Sequence, residues 1–224
     1  MKNEKKKKKK GASRDLCPPL AVIDREITPA ILAQGADLRI PVSEISYDYA
    51  AEIFRDLASD PTVPFGYPED GCYARAHHMA HRLNALGITV GKAFLEGNLR
   101  VESTNSARGV VHWGYHVAPV VMIRRFGISR PYVIDPSLFT EPVPVARWYH
   151  AQTSHAGARV KSRYFTSQHQ FWPRSSGAID RAEYDPAEDA QMRETMAEYL
   201  EEQNDRRAAR ALATESVSTT RTSP

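Results

Sequence analysis

A cysteine placed at the predicted start of a helix is the residue of this chain best suited to nucleophilic chemistry. Cys72 follows a turn rich in Pro, Asp and Gly, and the segment Ala74–Leu86 contains no glycine or proline. That composition and the helical spacing of its apolar residues predict a helix, and Gly87 stands where a C-terminal glycine cap is expected. Cys72 would therefore lie in the first turn, where unpaired backbone N–H groups and the helix dipole favour a thiolate.

A histidine and an aspartate on two neighbouring predicted strands can complete a proton-transfer cluster. The segment Val110–Ile123 is rich in Val, Trp and Tyr and predicts a strand, and a second strand ends at Asp135. If the chain reverses near Arg125–Phe126, antiparallel pairing sets His116 opposite Asp135, with Cβ atoms about 5 Å apart. A side-chain hydrogen bond between the two residues is then within reach.

These three residues are of the types that cysteine acyl chemistry requires. The reaction needs a thiolate, an imidazole that takes and returns a proton, and an acceptor that orients the imidazole. Cys72, His116 and Asp135 occur in that order, and backbone N–H groups at the helix start can serve as an oxyanion hole. The same spacing also fits a buried free cysteine, a hydrogen-bonded core histidine and an aspartate that ends a strand.

Both helices and strands are predicted around these residues, which indicates an α+β domain. Apolar residues at every fourth position predict an amphipathic packing helix over Ser43–Ser59. Three further segments complete the predicted domain: one or two strands over Thr89–Val101, interrupted at Gly97-Asn98; a short helix over Pro142–Thr153 that carries Trp148; and loops and short strands over 154–184.

Changes in composition divide the chain into a domain and its flanking segments. Residues 1–19 are rich in lysine and then proline and predict a disordered basic tail. Residues 20–184 form the predicted catalytic domain. A capping aspartate followed by proline predicts that a C-terminal helix starts at Asp185. We assign this helix to 185–213 because its apolar stripe fades after Glu201, and 214–224 to a disordered tail.

The net charge, the number of cysteines and the hydropathy of the chain exclude several classes of protein. The net charge of +3 comes from the lysine run at 5–10, without which the chain is slightly acidic, so no nucleic-acid partner is expected. The only two cysteines, Cys17 and Cys72, exclude a disulfide framework. No segment is apolar enough to span a membrane or to act as a standard signal peptide. We therefore expect a cytoplasmic protein or one exported by a leaderless route; its oligomeric state stays open.

A pair of histidines on the cysteine helix has a spacing that can bind zinc. His77 and His81 are four residues apart, on one face of the helix. However, His78 stands where a zinc-protease motif carries glutamate, and no third ligand is evident in the sequence. We interpret the pair as helix residues that are exposed or at the edge of the core, rather than as a metal site.

Four residues near the candidate site have structural interpretations. Alternation along a strand points Trp113 and Tyr115 away from His116, into the core. Arg75, in the second turn of the cysteine helix, is expected to tie down a loop or a carboxylate. Asp70 is expected to accept hydrogen bonds from N–H groups at the helix start.

Four sequence blocks closely resemble the active-site signatures of the bacterial protein glutaminases. They span roughly residues 45–175 and occur in the family's order with similar separations. The blocks are the run 67–79 (YPEDGCYARAHHM), Gly97-Asn98-Leu99 after an apolar strand, the run 113–118 (WGYHVA) and the run 134–139 (IDPSLF).

The resemblance implies a catalytic-cysteine helix packed on an antiparallel sheet, in a fold related to papain and transglutaminase cores. It implies Cys72 as nucleophile, His116 as acid and base, and Asp135 as the residue that orients His116. Family members deamidate glutamine side chains in intact proteins, so proteins or peptides with exposed glutamine are the expected partners. No metal or organic cofactor is required.

Some features depart from the family, and three other functions remain open. The best-known family members are secreted, carry an inhibitory pro-region and contain disulfides, whereas this sequence shows no standard signal peptide and no paired cysteines. The alternatives are transglutaminase-type acyl transfer to an amine, cysteine peptidase activity, and a non-catalytic protein-binding module that retains the fold. The first two use the same three residues.

Overall fold

The computed structural model of this protein describes residues 22–34, 38–103, 105–106 and 108–220, with side chains as far as residue 213. The predicted basic tail 1–19, including Cys17, and residues 221–224 lie outside these ranges.

Strands and helices alternate irregularly along the described chain, which confirms the mixed α+β class. The elements are β1 (Thr28–Gln34), β2 (Leu38–Ser46), α1 (Tyr47–Ala58), α2 (Cys72–Ala85), β3 (Gly91–Glu102), β4 (Val110–Arg125), β5 (Ile128–Val133), β6 (Val143–Pro144), α3 (Val145–Thr153), β7 (Arg159–Ser167) and α4 (Pro186–Thr220). One sheet has the order β1-β2-β4-β3-β7, with β5 paired to β4 and β6 to β5. Its pairings are antiparallel except for β2 with β4, which is parallel.

The sheet has an apolar core on each face, and helices cover both. On one face, α1, α2 and α4 contribute buried residues such as Phe54, Met79 and Met192 to a single cluster. On the other face, Trp148 of α3 packs with residues of β3, β4 and the β1–β2 hairpin. The candidate site lies between these layers, because α2 packs directly on β4.

The ends of α2 follow the sequence prediction closely. The helix begins at Cys72, and Gly71 before it adopts the left-handed conformation, with φ of 75°. At the other end, Gly87 is also left-handed, with φ of 79°. The N–H of Ile88 donates to the carbonyl of Leu83 at 3.0 Å, which satisfies a carbonyl that the helix end would leave unpaired. The predicted position of Cys72 in the first turn is confirmed.

The predicted helix over Ser43–Ser59 starts later than expected. Strand β2 continues through Ser46, and Ile45 is fully buried within that strand. The Ser46 backbone is extended and its Oγ accepts from the N–H of Tyr49 at 3.2 Å, so Ser46 is the N-cap. The prediction was wrong at this end because Ile45 matched the helical spacing by chance while serving as a strand residue.

The C-terminal helix starts as predicted and extends further. Asp185, which directly precedes the first helical residue Pro186, accepts through Oδ1 from the N–H of Ala187 in the first turn at 2.9 Å. The helix continues to Thr220, beyond the predicted end at residue 213, in a stretch without glycine or proline. None of the helices in the described ranges is long and apolar enough to cross a bilayer.

The predicted interruption of the strand after α2 is a β-bulge within one continuous strand, β3. Two residues of β3, Gly97 and Asn98, oppose the single residue Gly114 of β4. Gly97 has φ of 150°, and a Cβ atom there would lie 2.0 Å from the backbone oxygen of Arg159 on β7. Only glycine allows β7 to approach the bulge this closely.

Replacing Gly97 with alanine is expected to destabilise the fold by about 2 kcal/mol or more, because strand β7 must move away from the bulge. Urea unfolding of the two proteins measures the difference. Gly114→Ala is the matched control, since a Cβ at Gly114 has no atom within 4 Å, and its effect should stay within about 0.5 kcal/mol. Equal stability of Gly97→Ala and the parent chain would contradict the prediction.

Candidate active site

A buried histidine–aspartate pair lies at the centre of the candidate site. His116 Nε2 and Asp135 Oδ2 are 2.9 Å apart, and the two residues are 1% and 2% exposed. The predicted contact between them is therefore present in the structure.

The contact arises from a different strand register than the one predicted. The β4–β5 ladder pairs Val120 with Val133, whereas a register with His116 opposite Asp135 would pair Val120 with Pro131. The turn is centred further along, at Phe126-Gly127. Because the ladder ends at Val133, Asp135 reaches His116 from the tight turn that follows β5 rather than from a strand position.

Two donors that the sequence analysis did not identify fix the Asp135 carboxylate. The indole Nε1–H of Trp148 donates to Oδ2 at 2.8 Å, and the backbone N–H of Ser137 donates to Oδ1 at 3.1 Å. Trp148 lies on α3, which was predicted as a helix without a role in the site. A contact between residues on separate elements leaves no periodic signal in the sequence.

The charges of the pair stabilise each other. Burial alone would lower the pKa of His116, but the Asp135 carboxylate, with a smaller contribution from the Cys72 side chain, raises it to about 9. Burial alone would raise the pKa of Asp135, and the His116 charge, the Trp148 donor and the Arg75 charge outweigh it, so that this pKa lies below its usual range. Near neutral pH the pair is an imidazolium and a carboxylate.

The imidazole is stacked between two indole rings. The centroid of Trp113 lies 4.5 Å from that of His116 with the rings nearly parallel, and Trp148 stacks on His116 at 5.4 Å. The prediction that Trp113 points away from His116 was wrong. The β3 bulge opposite Gly114 shifts the alternation of β4 at that residue, so Trp113 and Ala118 share one core.

The cysteine lies at the start of α2 in an aromatic environment. Cys72 is 4% exposed and shares a cluster with Phe94, Val117 and Tyr164, against which the half-buried Tyr115 packs. Tyr115 thus joins the core, as predicted. Gly71, the N-cap of α2, has no side chain to accept from the N–H groups of the first turn, which leaves these groups available to a ligand.

The loop that leads into Cys72 is held by a buried arginine. Arg75 is 1% exposed and donates from Nη1 to the carbonyl oxygens of Tyr67 and Asp70, at 3.0 and 2.6 Å. Its predicted structural role is confirmed. Asp70 Oδ1 accepts from the N–H of Gly71 at 2.6 Å. Gly71 precedes the helix, whereas the expected donors were N–H groups of the first helical turn.

Helix α4 packs on the same loop through polar and aromatic side chains. Tyr199 stacks on Tyr67 at 4.8 Å between centroids and donates its hydroxyl to Asp70 Oδ2 at 2.9 Å. Gln203, which is buried, accepts from the N–H of Gly66 at 2.5 Å, and Arg206 pairs with Glu69 at 2.9 Å. The contact face therefore continues past Glu201, where the apolar stripe ends.

Comparisons with known proteins find similarity to glutaminases. A family model described as glutaminase matches residues 50–152. A crystal structure of protein-glutaminase shares 32% identity with a TM-score of 0.54, over 63% of this chain and 80% of that one. The NMR structure of protein-glutaminase from Chryseobacterium proteolyticum shares 31% identity with a TM-score of 0.53, over 61% and 80%.

This chain belongs to the protein-glutaminase family. A mutant pro-protein-glutaminase matches at 31% identity and a TM-score of 0.53, over 62% of this chain and 52% of that one. This glutaminase-family chain thus spans about half of the pro-protein and most of the shorter relatives. No curated protein matches it. The segment that matches the family contains Cys72, His116, Asp135 and Trp148, while α4 lies beyond it.

The pair predicts how this glutaminase-family protein titrates. We expect the His116 imidazole to remain protonated up to about pH 9 and, in Asp135→Asn, to lose its proton roughly one to three pH units lower, because the neutralising charge is gone. Histidine-resolved NMR titration measures both values. Asp180→Asn removes a surface carboxylate that pairs with Arg174 and should leave the titration of His116 unchanged.

The pH dependence of folding stability should reflect the titration of His116. Because the pKa of His116 is raised on folding, its stabilisation is fully present below the ordinary value of 6.5 and is lost as the pH rises through about 9. The stability of the parent chain should therefore fall more steeply than that of Asp135→Asn across this window. Parallel pH–stability curves for the two proteins would contradict the assignment.

Proposed function

We propose that this protein deamidates glutamine side chains of proteins or peptides, producing glutamate and ammonia through Cys72, His116 and Asp135. Family membership supports the reaction class. The observation that carries the assignment to residues is the buried His116–Asp135 pair at 2.9 Å. Cys72 is near enough to contribute to the raised pKa of His116.

The reaction begins with attack of the Cys72 thiolate on the carbon of the glutamine carboxamide. The oxyanion that forms is stabilised by N–H groups of the first turn of α2, including that of Cys72, since the N-cap Gly71 makes no side-chain hydrogen bond to them. Protonated His116 then donates its proton to the departing nitrogen, which leaves as ammonia. A thioester between Cys72 and the substrate remains.

Water completes the cycle. Neutral His116 takes a proton from a water molecule that attacks the thioester carbonyl, and the glutamate product leaves as the Cys72 thiolate and the imidazolium are restored. Nε2 of His116 is held by Asp135, whereas Nδ1 is buried with no hydrogen-bond partner in the described part of the chain. Nδ1 is therefore the nitrogen available for both transfers.

The burial of the nucleophile favours a side-chain amide as substrate. Cys72 is only 4% exposed and is bordered by Tyr73 and Tyr115. A thin, extended glutamine side chain fits such an opening better than a main-chain peptide bond, which carries a side chain on both sides. The packing of α2 on β4, the strand of His116, also supports the proposed relation to papain and transglutaminase cores.

Replacing Cys72 with alanine is expected to reduce ammonia release from a glutamine-containing protein by about 1,000-fold or more, because the covalent intermediate cannot form. Ammonia assay and intact-mass analysis of the substrate, which shows the gain in mass at each converted amide, measure the loss. Cys17→Ala is the matched control and should retain full activity. Undiminished ammonia release by Cys72→Ala would refute the assignment.

The same assay separates the other functions. Incorporation of a labelled amine into the substrate at the expense of deamidation would indicate a transglutaminase, and shorter substrate fragments would indicate a peptidase. An absence of any turnover with glutamine-rich substrates, together with tight binding of them, would indicate a binding module. Each of these results would overturn the proposed deamidation.

Replacing Trp148 with phenylalanine should lower kcat about tenfold with little change in KM, because the change removes the N–H donor to Asp135 and keeps an aromatic ring. Steady-state kinetics and the pH profile measure the effect. Tyr149→Phe, at the adjacent position of α3, is the control. A change confined to KM would place Trp148 in substrate binding instead.

A further inference from the structure

We propose that this protein binds a zinc ion between helices α2 and α4, with His77, His81 and Asp189 as ligands. The two histidines come from α2 and the aspartate from the first turns of α4. Asp189 is the third ligand that the sequence did not reveal, since it lies far from the histidines along the chain. The site is separate from Cys72 and His116.

The spacing of the three ligand atoms fits a tetrahedral ion. His77 Nε2 lies 3.3 Å from Asp189 Oδ1, and His81 Nε2 lies 3.4 Å from the same oxygen. With zinc–ligand bonds of about 2.0–2.1 Å, neighbouring ligands of a tetrahedron are about 3.3–3.4 Å apart. All three atoms lie within 4.8 Å of one another, and binding of the ion requires the Nε2 atoms of His77 and His81 to come to about 3.3–3.4 Å from each other.

Two of these atoms are buried and lack hydrogen bonds. In the described part of the chain neither His77 Nε2 nor Asp189 Oδ1 makes a well-aligned hydrogen bond, although the two atoms face each other at 3.3 Å. Buried polar atoms of this kind are rare because their desolvation is not compensated. An ion between them would satisfy both at once.

The remaining atoms of the ligands are already held in place. The hydroxyl of Tyr184 donates to Asp189 Oδ2 at 2.5 Å. Lys92 Nζ lies 2.9 Å from His77 Nδ1; with zinc on Nε2 this ring nitrogen carries the proton, and Lys92 accepts the hydrogen bond as a neutral amine. Such outer contacts orient metal ligands and leave one atom of each free for the ion. The fourth position faces a cavity lined by His169 and Tyr184, where a water molecule would complete the coordination.

The chemistry of the ligands favours zinc over the alkaline-earth ions. Two imidazoles and one carboxylate are typical of zinc, whereas Mg²⁺ and Ca²⁺ prefer oxygen ligands. Lys92 is buried beside His77, and its ammonium must release a proton before Nζ can accept from Nδ1 when the ion binds. An ion that bonds strongly to imidazole is therefore needed.

A zinc ion here would fasten α4 to the helix that starts with Cys72. The same α4 contacts the loop before Cys72 through Tyr199, Gln203 and Arg206. The role of the ion is structural: it would hold α4 in place, and it takes no part in the chemistry proposed at Cys72. The inference therefore stands whether or not the protein is a deamidase.

Calorimetric titration of the tag-free full chain, after removal of metal by a chelator, tests the site. We expect one Zn²⁺ per chain and a rise in the thermal midpoint on binding. His81→Ala and Asp189→Asn should each weaken binding about 100-fold or more and abolish that rise. Co²⁺ in place of zinc should give the absorption spectrum of a tetrahedral site in the parent chain and not in the variants.

Two control variants exclude other sources of binding. His150→Ala removes an exposed histidine on α3 and should leave zinc affinity unchanged. Cys72→Ala should also bind zinc normally, which excludes the thiol as the ligand. Equal zinc affinity of the parent, His81→Ala and Asp189→Asn would overturn the proposal. So would an absence of binding by the parent when the Zn²⁺ concentration is about ten times that of the protein. The cluster would then be a simple histidine–aspartate ion pair.

Discussion

The buried charge pair between His116 and Asp135 is the interaction on which the arrangement of the candidate site depends. Two charges removed from water are stable only if they pair closely and their remaining atoms are hydrogen-bonded. The protein meets this requirement with elements distant in sequence: the turn after β5 supplies the Ser137 N–H, and α3 supplies the indole of Trp148. The two-layered stack of Trp113 and Trp148 then excludes water from both faces of the imidazole.

Helix α2 connects this pair to the rest of the molecule. Its first residue is the candidate nucleophile, Arg75 in its second turn ties the preceding loop, and His77 and His81 face α4. One helix face therefore packs on β4 while another meets α4. Displacement of the helix along its axis would disturb the sulfur, the loop and the α4 contact together, so these three regions are mechanically coupled.

The sequence predicted those parts of the site that depend on local signals. The helix start at Cys72 followed from a turn and an uninterrupted helical segment, and the two strands that bring His116 near Asp135 followed from their composition. The register failed because the turn lies at Phe126-Gly127, and face alternation failed at Trp113 because a bulge on the neighbouring strand changes it. Both errors come from pairing partners, which periodicity within one segment does not contain.

The contacts of α4 were missed for a different reason. The apolar stripe that predicted this helix includes Met192 and Met196, and both pack into the core. The residues that reach the loop, Gln203 and Arg206, are polar, and polar residues on a helix normally face solvent. Their role becomes visible only when the loop they contact is placed beside them, as the hydrogen bond from Gly66 to Gln203 shows.

The position of α4 bears on where this domain ends as a physical unit. The segment matched by the family model stops at residue 152, yet the backbone N–H of Gly66 and the carboxylate of Asp70 have hydrogen-bond partners more than a hundred residues later in the chain. A shortened protein that ended at residue 152 would lack α4. It would expose the core surface that Met192 and Met196 cover, and the loop before Cys72 would lose its hydrogen bonds to α4. We therefore expect the shortest form of this protein that folds on its own to include α4 at least as far as Arg206.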